Sequence, residues 1–489
     1  MPESQKRGTR EDADETLRER AERAERERDR LRQDHEQLQR EHGRLERERD
    51  RLRQRVDQLK RQLDDARRAA RRQAAPFAKP LTRHPRRPGR KPGRAYGRPA
   101  RRRVPRRIDE TLEAPLPAHC PGCGDRVLET GLEMQYQEEL PVPRVLVRAF
   151  RIHIGRCHGC RRRVQGRHPL QTSDALGAAA AQLGPQAIAF AVVLNKQLGL
   201  SYGKVAALFQ QQYNLTVTRS GLVHAVHRAS RQAEPTYAAL CATVRGSPMV
   251  SPDETGWKVG GSLQWLWAFA TPDTTVYRIQ AGRGFEEAAA VLGADFAGVL
   301  VRDGWAPYRQ FTAAVHQTCL AHLLRRCRLV AADHPRTTFA TDVQTILQQA
   351  LTARDRHQTG AISAHGLAVA RGQLITRLAD RLARSSRVPD VRRFAAHLDR
   401  EFPAIWSFLF DPTIDATNWR AEQAIRPVVV TRKVWGGNRS WRGAHAQQTL
   451  TSVIRTAQQR QLNPHTVLVS MLRARQPTVL RALQTAAVN

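Results

Sequence analysis

Leucines recur every seven residues near the start of the chain. The positions on this register are Leu17, Leu31, Leu38, Leu45, Leu52 and Leu59, with Ala24 in the remaining place. Such a stripe predicts a coiled coil over residues 11–70 that would join copies of the chain. The second core column holds arginine and histidine as far as Val56, so we expect the coil to be marginal on its own. A single solvated, charged helix is the alternative.

The next segment has no hydrophobic periodicity. Residues 67–107 contain 17 lysines and arginines, no acidic residue and many prolines and glycines. This composition cannot form a core, so residues 71–110 are predicted to be a disordered basic linker. The DNA contacts predicted within it are Arg90, Lys91, Arg94 and Arg98. These residues would neutralise DNA phosphates independently of the DNA sequence. Alternatively, the short Gly-Arg-Pro-like segments of the linker would lie in a minor groove.

Two C-x2-C pairs follow, each in a turn that contains glycine. Cys120 and Cys123 form the first pair, and Cys157 and Cys160 form the second. Four thiolates complete the tetrahedral coordination of one zinc ion and leave no position for water, so the ion would be structural. The stretch before the second pair alternates like a strand. Residues 111–170 are therefore predicted to be a small zinc ribbon, with free or disulfide-bonded cysteines as the alternative.

Residues 171–245 have the pattern of helices. Within them, residues 201–230 predict a helix, a short turn and a second helix that Thr218 or Ser220 would cap. This arrangement is typical of a helix-turn-helix, and Arg228 would then contact DNA from the second helix. A plain helical hairpin that packs on its neighbours is the alternative.

Short strands are predicted from residue 246 onward. Strand-like runs cover residues 248–257, 263–271 and 275–282, a helical stretch covers 285–292, and a buried strand ends at Asp303. Three antiparallel strands, a helix and another strand are the order of a ribonuclease-H-like α/β core, which we expect to begin in residues 246–312. We expect Trp257, Trp265 and Trp267 to pack in this core and not to stack on bases.

The rest of the chain is predicted to be mostly helical. Residues 313–412 are rich in alanine, leucine and arginine and are longer than a connection needs, so we expect an all-helical insertion. Residues 413–489 would complete the core with a third acidic residue and C-terminal helices. The fold class is therefore multidomain, with a coiled coil, a zinc ribbon, a helical DNA-binding region and an α/β core.

The formal net charge of the 489 residues is +35, which indicates a polyanionic partner such as nucleic acid or an anionic membrane. No apolar run approaches the ~18 residues that a membrane-spanning helix needs. The first residues lack the apolar core of a signal peptide, so we expect a soluble, intracellular protein. The cysteine spacing favours a metal site in a reducing compartment over disulfides.

Three acidic residues are candidates for metal-dependent chemistry. Asp253 and Asp303 each follow an apolar run, which would place them at the C-terminal ends of neighbouring strands, and a helix could bring Glu422 to them. Carboxylate oxygens suit Mg²⁺ or Mn²⁺, and two such ions can clamp a phosphoryl transfer. The spacing by itself leaves open that both aspartates lie in ordinary turns.

The chain resembles transposases of the insertion-sequence 66 family, which belong to the DDE class. The resemblance covers nearly the whole chain, and its motifs are GRKPG, CPGCG with CHGC, SPDETGW, WLWAFATPDTTVYRIQAGRG, LVRDGWAPY, HQTCLAHLLRR and TNWRAEQAIRPVVVTRKVWGGNRSWRGA. It implies a ribonuclease-H-like domain with a helical insertion before the glutamate. By motif, it assigns Asp253, Asp303 and Glu422 as the catalytic triad.

The resemblance also implies what the protein does. A member of this family would cut the ends of its mobile element and join the freed 3′-hydroxyl to target DNA, with two Mg²⁺ or Mn²⁺ ions. We expect a homo-oligomer in the bacterial cytoplasm, associated with the nucleoid and assisted by accessory proteins of the same element. The alternative is a non-catalytic, zinc-containing DNA-binding protein, such as a decayed transposase or a regulator.

Further residues match or depart from the family pattern. Cys319 and His322 match a Cys-x2-His motif near the catalytic site and are expected to support it as a polar or DNA-contacting pair, with a second metal site as the alternative. Candidate phosphate contacts after the glutamate are Arg426, Arg432, Lys433, Arg439 and Arg442. General backbone affinity is an equal alternative for these residues. Departures from the pattern occur at Trp419, Gln423, Leu320, Trp435 and Trp441.

Overall fold

The computed structural model describes residues 102–483, apart from 142 and 385, and residues 22–58, apart from 24, 29, 31, 34, 53 and 57. The chain forms two compact units, Met1–Gln137 and Glu138–Asn489. The predicted linker contacts Arg90, Lys91, Arg94 and Arg98 lie outside the described residues, as do Leu17, Ala24, Leu31 and Leu59 of the heptad stripe.

The first unit contains helix α1, to which the described residues between 22 and 58 belong. Leu38, Leu45 and Leu52 of the heptad stripe are 63%, 64% and 60% exposed. Ion pairs one turn apart, such as Arg40 with Glu36, lie along the same helix. Leucines at heptad spacing on a long helix are typical of a surface that packs against another helix.

The second unit begins with a short hairpin. Strand β1 (Ile154–Arg156) pairs antiparallel with β2 (Arg163–Gln165), and Cys157 and Cys160 lie in the turn between them. The sequence predicts a longer strand here, but residues 143–153 have no regular structure. Three residues of each strand form pairs, so the predicted strand is present only over its last three residues.

Three helices precede the central sheet. They are α2 (Pro185–Val192), which continues into a π-helical turn at Val193–Gln197, α3 (Tyr202–Tyr213) and α4 (Arg219–Arg245). Thr218 caps α4, as its hydroxyl oxygen accepts the Gly221 N–H over 3.0 Å. The predicted helix, short turn and helix are therefore present, in a form that suits both a helix-turn-helix and a plain hairpin.

The centre of the unit is a five-stranded mixed sheet with the order β5-β4-β3-β6-β7. Its strands are β3 (Met249–Val259), β4 (Ser262–Ala270), β5 (Thr275–Gln280), β6 (Val299–Arg302) and β7 (Val315–Thr318). The first three strands are antiparallel, and β6 and β7 run parallel to β3. The helix predicted over 285–292 is confirmed as α5 (Phe285–Leu292). β7 lies beyond residue 312, in the segment that was predicted to be an all-helical insertion. The sequence did not predict this strand, because the polar run VHQT has no strand-like pattern.

The segment of the chain that follows β7 forms a separate layer of helices. These helices are α6 (Leu320–Asp333), α7 (Phe339–Gln358), α8 (Ala364–Ala383), α9 (Pro389–Glu401) and α10 (Ser407–Phe410). They enclose a core of their own, which includes Phe339, Phe394 and Trp406. Val301 of β6 belongs to the same core, so the helical layer is anchored on the strand that leads to Asp303.

The last three helices cover the sheet. They are α11 (Trp419–Trp435), α12 (Trp441–Gln459) and α13 (Pro464–Arg473). α11 packs on Trp257, Leu266 and Ala268 on one face, whereas α4 and α12 share a core with Trp267 and Phe269 on the other. Trp257 and Trp267 are fully buried, which confirms that they are core residues.

None of the described helices is both long enough and apolar enough to cross a membrane.

Candidate active site

Asp253 and Asp303 occupy equivalent positions on neighbouring strands. Val250 of β3 lies opposite Leu300 of β6 in the parallel pairing, and each aspartate follows three residues later. Asp303 comes directly after β6, as predicted. Asp253 lies inside β3 and not at its C-terminal end, so that part of the prediction is wrong. The reason is that β3 continues to pair with β4 beyond Asp253, as far as Val259, the last residue of β3.

Glu422 approaches from the helix that covers the same face of the sheet. Asp253 shares a strand face with Trp257, which packs against α11. Glu422 lies in the first turn of α11, and its side chain is 32% exposed. Asn418, the N-cap residue of α11, is buried and donates from Nδ2 to the Pro252 carbonyl over 2.8 Å. This bond ties the start of the helix to the residue before Asp253.

The other acids of the candidate site act on the charge of Asp253. Burial raises the pKa of the Asp253 carboxyl well above its ordinary value. The negative charge of Glu254 adds to the rise, followed by the charges of Asp303 and Glu422. Negative charges in a partly buried site repel one another, and a bound cation would relieve that repulsion.

Glu254 is a buried acid that our sequence analysis did not single out. It follows Asp253 on β3 and therefore points to the opposite face of the sheet. Its two carboxylate oxygens accept hydrogen bonds from Tyr308 Oη and Arg283 Nε, each over 2.6 Å. Burial nevertheless raises the pKa of the Glu254 carboxyl. Alternation along a strand in the SPDETGW segment could have indicated that Glu254 faces away from Asp253. It could not have identified Tyr308 and Arg283 as partners, because both are distant in the sequence.

A buried charge network holds the strand that carries Asp303. Arg302 donates from Nη1 to the Asp303 carbonyl over 2.9 Å and to Glu401 Oε2 over 2.6 Å. Both charged side chains are at most 2% exposed. Glu401 ends α9, so the helical layer is linked to the Asp303 carbonyl through the Arg302 guanidinium. Gly304 allows α9 to lie close, because a Cβ there would lie 2.5 Å from His397 Cε1 unless the imidazole moved.

Cys319 and His322 lie beside Glu422, as the resemblance implied. Cys319 is the N-cap residue of α6, and His322 is in the first turn of that helix. The Asn418 N–H donates to Cys319 Sγ over 3.1 Å. Nδ1 of His322 lies 3.9 Å from Glu422 Oε1. These side chains therefore connect the beginnings of α6 and α11.

The predicted phosphate contacts after Glu422 differ in their surroundings. Arg432 is half-buried, and its Nη1 donates to Thr255 Oγ1 over 3.0 Å and to the Gly256 carbonyl. It therefore packs α11 onto β3. The exposed members of the predicted set are Arg426, Lys433, Arg439, Arg442 and, on α4, Arg228.

Three departures from the family pattern have different environments. Leu320 is fully buried in the core of the helical layer. Gln423 is exposed. Trp419 begins α11 and is 41% exposed, with the Arg420 guanidinium 4.6 Å from the centre of its ring. None of these three residues displaces Asp253, Asp303 or Glu422.

Each C-x2-C pair has the same local backbone arrangement. The Cys120 N–H donates to the Asp125 carbonyl over 2.7 Å, and the Cys157 N–H donates to the Arg162 carbonyl over 2.9 Å. Hydrogen bonds from Cys123 lower the pKa of the Cys120 thiol. Hydrogen bonds from Cys160 lower the pKa of Cys157 in the same way. Each turn thus presents two neighbouring thiols.

Comparison with known proteins gives the family of the chain. A search of curated proteins gave no significant match. The family model described as "Transposase IS66 family" matches residues 180–446, which is more than half of the chain. The matched range contains the sheet, both aspartates, the helical layer and Glu422. The chain therefore belongs to the IS66 family of transposases.

Proposed function

We propose that this transposase cleaves the ends of its mobile element and joins the freed 3′-hydroxyl to target DNA at Asp253, Asp303 and Glu422. The observation that carries the proposal is the equivalent placement of the two aspartates on parallel strands β3 and β6. The helix with Glu422 packs on the same sheet face, and the charge of Glu422 acts on Asp253. Antiparallel strands β3 to β5, α5 and then a parallel strand support a ribonuclease-H-like core.

The chemistry of the donor set suits Mg²⁺ or Mn²⁺ ions. Three carboxylates supply hard oxygen ligands, which these ions prefer. Ions bound there would activate a water molecule or a 3′-hydroxyl and stabilise the leaving oxygen. Asp253 and Asp303 form the rigid side of the site, because Asp253 lies in β3 and Asp303 directly follows β6. Glu422 adds a ligand on a partly exposed helix turn, where DNA can reach it.

DNA binding in this proposal relies on the excess of positive charge. The exposed cations Lys433, Arg439 and Arg442 follow Glu422 in the chain and could contact phosphates near the site. The basic linker would add sequence-independent affinity. Arg432 is a positioning residue in this scheme, since it bonds to the backbone of β3.

Oligomerisation through α1 and a structural zinc ion are parts of the same proposal. The exposed leucine stripe of α1 supports the first, because pairing two element ends requires more than one subunit. The matching local geometry of the two C-x2-C turns supports the second.

Strand transfer on element-end DNA with Mg²⁺ tests the catalytic assignment. Asp303→Asn should abolish nicked and joined products while DNA affinity stays within about twofold. Asp333→Asn, at an exposed carboxylate that ends α6, is the matched control and should keep full activity. Equal activity of wild type and Asp303→Asn would overturn the catalytic assignment. DNA binding without products from the wild type would favour a non-catalytic DNA-binding protein.

A further inference from the structure

Three side chains of different chemistry converge beside the carboxylate site. They are Cys319 at the N-cap of α6, His322 one turn later and Glu422 in the first turn of α11. One potential ligand atom from each lies within 4.8 Å of the other two. Among the residues that the structure describes, this is the one group of three with that property. Phosphoryl transfer as proposed above assigns no role to a thiol and an imidazole there.

The His322 ring has a nitrogen that the fold leaves unsatisfied. Nδ1 is buried and has no hydrogen-bond partner among the described residues. Glu422 Oε1 is 3.9 Å away, which is too long for a hydrogen bond. A buried polar atom without a partner costs about 1–3 kcal/mol, so its retention needs an explanation. The rest of the side chain is 39% exposed, which leaves a route for a small ion.

The Cys319 sulfur already accepts a backbone hydrogen bond. The side chain is buried at the N-cap of α6, and the Asn418 N–H donates to Sγ over 3.1 Å. A metal ion deprotonates a coordinating thiol, and this N–H would then stabilise the thiolate.

Cys327 provides a contrast on the same helix. It is fully buried in the apolar core of the helical layer, and burial raises the pKa of its thiol to about 12. Its surroundings include Leu323, Phe339 and other apolar side chains of that core. A buried position on α6 is therefore not enough to place a thiol beside an imidazole and a carboxylate.

We propose that Cys319, His322 and Glu422 bind a thiophilic divalent cation of the zinc class, and that this binding withdraws Glu422 from Asp253 and Asp303. Sulfur, nitrogen and oxygen ligands suit Zn²⁺, whereas Mg²⁺ does not select a thiolate. Zinc–ligand bonds of ~2.0–2.3 Å require the three atoms to close to roughly 3.5 Å, which the part-exposed Glu422 side chain can do. The competition with catalysis rests on the function proposed above, but the cation site itself does not.

Cation binding is tested without DNA, by titrating the full-length protein with Zn²⁺ and, in parallel, with Co²⁺. His322→Ala should lose one equivalent of bound metal, or bind it at least ~100-fold more weakly, since loss of even an outer partner costs 10–100-fold. Cys319→Ser should also lose the sulfur-to-cobalt charge-transfer absorption of that equivalent. Cys327→Ser is the matched control and should bind as the wild type does.

Unchanged stoichiometry and affinity in both His322→Ala and Cys319→Ser would overturn the cation site. His322 is part-exposed, so His322→Ala keeps the test decisive if Cys319→Ser fails to fold. For the competition, Zn²⁺ added to a Mg²⁺-driven strand-transfer reaction should inhibit the wild type at ~10-fold or more lower concentration than His322→Ala, each relative to its own activity. Equal inhibition would refute the competition. Metal loss in His322→Ala combined with an inactive wild type would refute only the proposed function.

Discussion

Asn418 donates a hydrogen bond from Nδ2 to the backbone carbonyl of Pro252 over 2.8 Å. The bond joins positions 166 residues apart in the chain, and Asn418 is only 1% exposed. It connects the N-terminus of α11, four residues before Glu422, to the residue before Asp253. The relative placement of these two acids therefore depends on the neutral side-chain amide of Asn418.

Asn418→Ala should lower activity more than stability. Loss of the amide leaves the buried Pro252 carbonyl without its donor, which costs about 1–3 kcal/mol. A shift of about 1 Å in Glu422 would reduce the strand-transfer rate roughly 100-fold. Single-turnover strand transfer and thermal unfolding measure the two effects. Gln423→Ala, at an exposed neighbour, should change neither, and a normal rate for Asn418→Ala would show that the bond does not position Glu422.

Glu401→Gln should destabilise the protein by about 3–5 kcal/mol, because Arg302 would keep its charge in a buried site without a carboxylate. The midpoint of urea-induced unfolding measures this loss. Asp399→Asn, an exposed acid on the same helix, is the control and should change the midpoint little. Replacing both partners, Arg302→Met with Glu401→Leu, should recover most of the stability. No recovery in the double variant would mean that packing, and not the unpaired charge, causes the loss.

Glu254→Gln should move the acidic limb of the pH–activity profile to lower pH. Burial and the Glu254 charge raise the pKa of Asp253, and Asp253 must lose its proton to hold a cation. Removing the Glu254 charge lowers the pKa of Asp253, so activity persists to more acidic pH. Strand transfer measured across the acidic range at fixed Mg²⁺ tests this. Glu286→Gln, on the exposed side of α5, should leave the limb in place. If the acidic limb of the Glu254→Gln profile stays in place or moves to higher pH, the Glu254 charge does not control the pKa of Asp253.

Lys196 should make the protein more stable as the pH rises above neutrality. Burial lowers the pKa of this lysine from 10.5 to about 7 in the folded chain. Between these values the unfolded chain binds the extra proton, so the free energy of unfolding increases with pH and the effect ends near pH 10.5. The full shift corresponds to roughly 5 kcal/mol.

Lys196→Met should remove this slope. Urea unfolding at pH 7.5 and 9.5 should show the wild type gaining roughly 2–3 kcal/mol relative to the variant. Lys204→Met, at an exposed position of α3, should retain the wild-type slope. Parallel stability curves for wild type and Lys196→Met would mean that Lys196 is solvated or already paired. The side chain contacts Gln447 Oε1 over 2.9 Å and lies near the Trp435 ring, and neither group neutralises a charge.

Local pattern was sufficient for the elements with regular periodicity. The apolar run around Trp267 predicted β4, and the helical stretch predicted over 285–292 is α5 at its observed bounds. Resemblance directed attention to Asp253, Asp303 and Glu422. The predictions of β4 and α5 succeed because neighbouring residues carry the signal. β7 was not predicted, because its polar residues become a strand only by pairing with β6.

The sequence by itself determined which residues carry charge, sulfur and apolar surface, the order of most strands and helices, and the family. Tertiary structure alone decided that Glu254 faces Tyr308 and that Glu401 meets Arg302, and it set the distances at which Cys319 and His322 lie from Glu422. The physical reason is distance along the chain. Each of these contacts joins segments from about 50 to 100 residues apart. No local propensity encodes such a pairing, and only the packing of helices on the sheet brings the groups together.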